Sequence, residues 1–301
     1  MQCLCIGVND CAESVKDYIM NELEKLDKLN INCSVIDSVD LDGSTSVICT
    51  INQEKKSTPE YDELLFGISN GLADYIIEEY EEKLILRIIN SNYCYFNSIE
   101  KKEILRLALL IINNDDKNFL NTLYQIRRRN IIIRKLVDYF ESSDKVILDG
   151  FVNFRLKDYI KDLEEIVDKA VDDFLTEREY KEFIRLLRYF VDIQEPKFNV
   201  IHVLAGYDSK YILLDENKRE ITNECLQEFM NDIPEGEVNY DDLLVSSLIT
   251  MAPKKVVVHS AKNFRNKELL ETIKNVFWGK AIICPECELC LVRVARSEHK
   301  N

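Results

Sequence analysis

From Pro59 to about Asp192, well over a third of its 301 residues, the chain shows no convincing strand pattern, and helical punctuation recurs throughout. The whole sequence holds only 8 Gly and 5 Pro, so little in it interrupts a helix. Asn97 and Glu100 have the spacing of a capping box, in which cap side chain and third-position acid satisfy each other's exposed backbone N–H groups. After Asp149-Gly150, the residues Leu156, Ile160, Leu163, Val167, Ala170 and Phe174 fall on one helical face. Thr176 and Glu179 form a second candidate capping box, so Tyr180, Phe183, Leu187 and Phe190 are assigned to a new helix. This segment reads as a bundle of five or six helices, with Gly67 and Gly71 spaced to allow close helix contact.

The flanks carry strands. Gln2 to Val8 reads as a strand, Val15, Ile19, Leu23 and Leu26 as a helix face, and two apolar runs around Asp42-Gly43-Ser44 as further strands. Beyond Glu195-Pro196, Asn199 to Leu204 and Tyr211 to Leu214 predict a hairpin. Short helices follow near Asn223 to Asn231 and Tyr240 to Met251. Lys255 to His259, Lys267 to Trp278 and Ala281 to Cys284 then read as strand, helix, strand, a crossover that pairs its strands in parallel. The expected fold is α+β and predominantly helical: a small βαββ segment (1–56), a helical bundle (57–195) and an α/β segment ending in a cysteine cluster (196–301).

With 54 acids against 39 bases the net charge is −15, which disfavours nucleic acid as a partner and leaves a protein partner as the expectation. The N-terminal Met1-Gln2-Cys3-Leu4-Cys5-Ile6 lacks a basic start, and no apolar run approaches the ~20 residues of a membrane span, so a cytoplasmic location is expected. Its ten cysteines then read as reduced thiols. Phosphate-binding glycine loops, HExxH helices and GxSxG elbows are absent, which leaves the common motif-bearing enzyme classes unsupported.

Cys284-Pro285-Glu286-Cys287-Glu288-Leu289-Cys290 is the most specific chemical feature, three thiols at steps of three. Such spacing lets them converge on zinc or supply three ligands of an Fe–S cluster. A fourth ligand is not given by spacing: the ferredoxin position holds Val294, leaving His299 or a distant cysteine. A redox dithiol at Cys284 and Cys287, or plain structural thiols, are the alternatives. His259, at the C-terminal end of a parallel strand and followed by Arg265, sits where α/β sheets place ligands, so an enzyme site there is a further reading. His202, within an apolar strand, reads as a packed histidine, and Arg127-Arg128-Arg129 with Arg134 and Lys135 as solvated, paired charges.

The stretch Asp149-Gly150-Phe151-Val152-Asn153-Phe154-Arg155-Leu156-Lys157-Asp158-Tyr159, continuing in Glu182-Phe183-Ile184-Arg185-Leu186-Leu187-Arg188-Tyr189-Phe190-Val191-Asp192, resembles the YtxC family of sporulation proteins. The resemblance extends from about residue 60 to the end. It implies a cytosolic protein of endospore-forming bacteria associated with sporulation, and no reaction, cofactor or catalytic residue comes with it. The aromatics of these stretches read as core, while Arg155, Arg185 and Arg188 are candidates, with His259 and Arg265, for an anion or partner site. The functional expectation is binding rather than catalysis, with a metal or redox role of the CxxCxxC cluster as the alternative.

Overall fold

The computed structural model describes residues 2–8, 12–25, 34–39, 45–51, 59–113, 119–205, 211–222 and 239–290. The helix expected near Asn223 to Asn231 and the candidate ligand His299 lie outside these residues. The chain forms two compact units, 1–176 and 177–301.

In the first unit, β1 (Gln2–Val8), α1 (Ala12–Glu24), β2 (Ser34–Val39) and β3 (Thr45–Ile51) follow the expected βαββ order. Four helices then come in sequence: α2 (Pro59–Asn92), α3 (Ser98–Asn113), α4 (Phe119–Ser142) and the short α5 (Leu148–Arg155). The sheet order is β2-β3-β1-β4, with β1 antiparallel to β3. Its fourth strand, β4 (Lys145–Ile147), lies parallel to β1 and was not legible as a strand, since three residues are too few to show a period. Strands and helices share one core: Leu4, Ile6 and Val47 of the sheet are as completely buried as Ile68, Ile76 and Ile132 of the helices. The capping box forms as expected. Asn97 Oδ1 accepts from the N–H groups of Ile99 and Glu100 at 2.9 and 3.0 Å, and Glu100 accepts from Asn97 N–H at 2.9 Å.

The second candidate capping box does not form. The helix α6 runs unbroken over Lys157–Ile193, because the Thr176 hydroxyl donates back to the Asp172 carbonyl at 2.9 Å instead of capping a new start. The aromatic expectation also divides. Phe151 and Tyr159 are buried, whereas Phe154, Phe183, Tyr189 and Phe190 are exposed.

At Gly71, α2 packs directly against the backbone of α1. A Cβ there would sit 2.7 Å from the Tyr18 carbonyl oxygen and 2.8 Å from Ile19 Cα, both backbone atoms that cannot swing aside. Gly71→Ala gains about 1 kcal/mol of helix propensity but must push two helices apart, which costs about 3 kcal/mol or more at the severe end of overpacking. A net loss of about 2 kcal/mol is expected, read as a lower urea midpoint with unchanged slope.

The second unit contains the four-stranded sheet β6-β5-β7-β8. Here β5 (Val200–Ala205) and β6 (Tyr211–Leu214) are the expected antiparallel pair, while β7 (Lys255–His259) runs parallel to both β5 and β8 (Ala281–Ile283). Between them lie α7 (Tyr240–Met251) and α8 (Lys267–Val276), both capped by asparagine: Asn239 before α7 and Asn266 before α8. Ile201, Val203, Val256 and Val258 alternate onto one buried sheet face, and Leu244, Leu248, Ile273 and Phe277 belong to the same core. Alternation sends His202, Val257 and Ile282 to the other face.

Candidate metal centre

Because β7 and β8 are parallel and in register at Val258 and Ile283, the residues that leave them, His259 and Cys284, emerge side by side. The Cys284 N–H extends the ladder by donating to the Val258 carbonyl at 2.8 Å. The chain then turns sharply through Pro285 and Glu286. Pro suits the first central position of such a turn, and Glu286 takes a positive φ of 112° at the second. Cys287 precedes a helical turn at 288–290, and the Cys290 N–H donates to the Cys287 carbonyl at 2.9 Å. On the β7 side, Ser260 also takes a positive φ, 49°. Two non-glycine residues in this costly region therefore flank one cluster, a pattern typical of sites whose geometry is over-determined by their surroundings.

One ligand atom from each of His259, Cys284, Cys287 and Cys290 lies within 4.8 Å of the others. His259 Nδ1 is 3.3 Å from Cys287 Sγ and 3.5 Å from Cys290 Sγ. Cys290 Sγ is 3.9 Å from both Cys287 Sγ and Cys284 Sγ. A tetrahedral zinc with Zn–S of about 2.3 Å and Zn–N of about 2.0 Å requires edges of about 3.8 Å between sulfurs and about 3.5 Å between sulfur and nitrogen. The four edges named above, those among His259, Cys287 and Cys290 and from Cys290 to Cys284, already come close to these lengths, and the other two lie within 4.8 Å. In an Fe–S cube each thiolate binds a different iron, which spreads the ligand atoms farther apart than one shared ion does.

Beyond the ligands, His259 Nε2 is 2.9 Å from His202 Nδ1. With a metal on Nδ1, Nε2 would carry the proton and donate to His202 Nδ1, the kind of outer contact that fixes a metal-binding imidazole in one tautomer. Burial lowers the pKa of both rings, and for His259 the neighbouring His202 and Lys218 add to it, which favours the neutral imidazole that such a contact needs. The thiols differ. Burial pushes Cys290 up, but hydrogen bonds from the Cys287 backbone and from Ser260 outweigh it and hold the thiol below its ordinary value. For Cys284 the backbone at Glu286 lowers the pKa, and burial together with the neighbouring thiols overrides that and raises it. A cavity of about 410 Å³ lies against the cluster, walled by Ser260, Lys262, Asn263 and Glu286 with Cys284 and Cys290.

The remaining candidates are placed elsewhere. Arg155 stacks on the Tyr139 ring at 5.5 Å, and Arg185 makes an exposed pair with Glu182 at 3.6 Å. Arg188 donates twice to the Asn275 carbonyl, at 3.1 and 2.6 Å, and covers the Trp278 ring. Arg265 is exposed. Arg155, Arg185 and Arg188 each have a partner within their own unit, and His259 lies against the thiols. The basic run is paired, Arg127 with Asp162, Arg128 with Glu81, Arg129 with Asp74 and Lys135 with Asp158, but Arg128 and Glu81 are buried together rather than solvated.

Comparison with known proteins places this architecture. A model of the YtxC-like family matches residues 67–282, a span that includes His202 and His259 and ends just before Cys284. The chain belongs to the YtxC-like family. It is 27% identical over 217 residues to the uncharacterized protein YtxC of Bacillus subtilis (strain 168), covering 71% of this chain and 75% of that protein. No solved structure matches the chain. Among the described residues of this YtxC-like protein, no helix is long and apolar enough to cross a membrane.

His202→Ala tests the outer contact. Zinc affinity is expected to fall about 10- to 100-fold, with partial recovery in His202→Gln, whose amide oxygen can still accept from His259 Nε2. Competition against a chromogenic chelator measures it, and unchanged affinity in His202→Ala would deny the histidine pair a role.

Proposed function

We propose that this chain is a zinc-binding protein whose centre is formed by His259, Cys284, Cys287 and Cys290, and that it acts by binding rather than by turnover. One observation carries the reading: four ligand atoms of a Cys3His set, drawn from two adjacent strand ends, lie within 4.8 Å of one another. Four protein ligands fill a tetrahedral ion, the pattern of structural zinc, whereas catalytic zinc keeps a position open for water or substrate. Elemental analysis of the full chain, purified anaerobically, is expected to give one zinc per chain. Absence of stoichiometric metal, or iron accompanied by sulfide, removes the reading.

The sequence resemblance to the YtxC family of sporulation proteins motivates a second part of the proposal, a cytoplasmic role in sporulation. Deleting the gene in a spore-forming host is expected to lower the yield of heat-resistant spores, and complementation with Cys290→Ser should fail if the centre serves that role. An unchanged spore yield after deletion would remove this part and leave the zinc assignment standing.

A further inference from the structure

The four ligands are not equally sheltered. His259 and Cys290 are 3% and 5% exposed, whereas Cys284 and Cys287 are half-buried. Of these two, Cys284 lines the cavity of about 410 Å³ and Cys287 does not. Cys290, buried and also lining that cavity, has its sulfur 3.9 Å from that of Cys284. A half-buried thiol on a cavity wall, with the sulfur of a second, buried thiol 3.9 Å away, is the arrangement that captures an oxidant and then resolves the product.

We propose that Cys284 is a modification site for hydroperoxides, closing onto Cys290 as a disulfide that abolishes metal binding; this rests on the zinc reading above. The thiolate of Cys284 is the form that attacks peroxide, and its place on the cavity wall gives a peroxide access to it. Cys284 Sγ forms a bond to one peroxide oxygen as the O–O bond breaks, and the departing hydroxide or alkoxide takes a proton from solvent. Cys290 Sγ then attacks the oxidised sulfur. The S–S bond forms, the S–O bond breaks, and hydroxide leaves to become water. Two thiolates give up two electrons, the hydroperoxide accepts them, and two protons are consumed. The sulfurs need to close from 3.9 Å to the ~2.05 Å of a disulfide, a movement the turn at 284–290 can absorb. His259 and Cys287 remain, too few ligands to hold the ion. Cys287 is the poorer first target because it is packed against His259 Nδ1 at 3.3 Å and does not face the cavity.

The test uses the full chain, with zinc counted before any oxidant is added. Hydrogen peroxide is expected to release one zinc per disulfide formed, followed with a chromogenic chelator, and peptide mapping should join Cys284 to Cys290. Ala261→Trp, which narrows the cavity without touching a ligand, should bind zinc normally and release it about tenfold more slowly. Should that variant fail to fold, brief labelling of the wild-type holoprotein with N-ethylmaleimide serves in its place, and Cys284 should be the first of the three ligand thiols modified. A Cys287–Cys290 disulfide, first labelling at Cys287 or Cys290, or equal release from a folded Ala261→Trp overturns the proposal. Zinc retained under peroxide overturns it while leaving the zinc centre intact, and a chain without zinc overturns both.

Discussion

Cys290→Ser is expected to lose zinc and to loosen the 281–290 segment while the rest of both units stays folded. Structural zinc in small peptides contributes about 10–16 kcal/mol, so one ligand of four is worth about 3–4 kcal/mol, or two to three orders of magnitude in affinity. That exceeds the 10- to 100-fold expected from His202→Ala, because a ligand is lost and not merely its orientation. The opening stays local for a reason visible in the core. Ile201, Val203, Val256 and Val258 are buried with Leu244, Leu248 and Ile273 in a core that includes none of the four ligands. What does depend on it is β8, three residues long at the sheet edge, and the turn that follows, where Glu286 holds a positive φ. Hydrogen exchange should therefore rise at 281–290 on chelation or in Cys290→Ser, with β5 and the paired face of β7 still protected. Stoichiometric zinc in Cys290→Ser would refute the ligand assignment. Global unfolding of the second unit would show instead that its core cannot stand without the ion.

Much of this was legible in the residues, and the reasons for the misses are physical. The strand, helix, strand crossover from Lys255 to Cys284 was readable because β-branched and amphipathic runs alternate there with clear boundaries. The three thiols were readable from spacing alone. The fourth ligand was not, because it lies 25 residues before Cys284 and spacing rules see only local ligands. Yet a parallel pair already implies that the residues leaving its two C-terminal ends are neighbours, so His259 beside Cys284 follows from the crossover itself. His202 follows one step further: it pairs with Val257, which lies two residues before His259 and on the same sheet face. The unbroken α6 was missed for the opposite reason. Thr176 and Glu179 match a cap locally, but the hydroxyl has the Asp172 carbonyl within reach as long as the helix continues. The aromatic stretches were read as core because large apolar groups usually are, and exposed Phe154, Phe183 and Phe190 show that a helix can carry aromatics on its outer face as well.

Arg128→Met is expected to cost the first unit about 3–5 kcal/mol, the usual penalty for stranding one member of a buried ion pair. Arg128 on α4 donates to Glu81 on α2 at 2.9 Å, with side chains only 7% and 6% exposed, and the Tyr159 hydroxyl on α6 donates to the other carboxylate oxygen. Burial pushes the Glu81 carboxyl up, a shift that Arg128 and Tyr159 reduce but do not cancel. Removing the guanidinium removes the largest opposing influence, so in Arg128→Met the folded state should hold a proton on Glu81 more tightly than the unfolded chain does. Between the unfolded and the raised folded pKa the folded form binds more protons, so by linkage stability falls as pH rises through that window. The defect should therefore be largest at neutral pH and shrink in mild acid, seen as converging urea midpoints of wild type and variant. Adding Glu81→Leu should recover most of the loss, since two apolar groups of similar size leave no charge to desolvate. Arg128 Nε is buried without a protein partner, a cost that the doubly substituted chain also escapes. If the double variant matches wild type in stability but loses sharp, single-transition unfolding, the pair serves to set the register of three helices rather than to strengthen them.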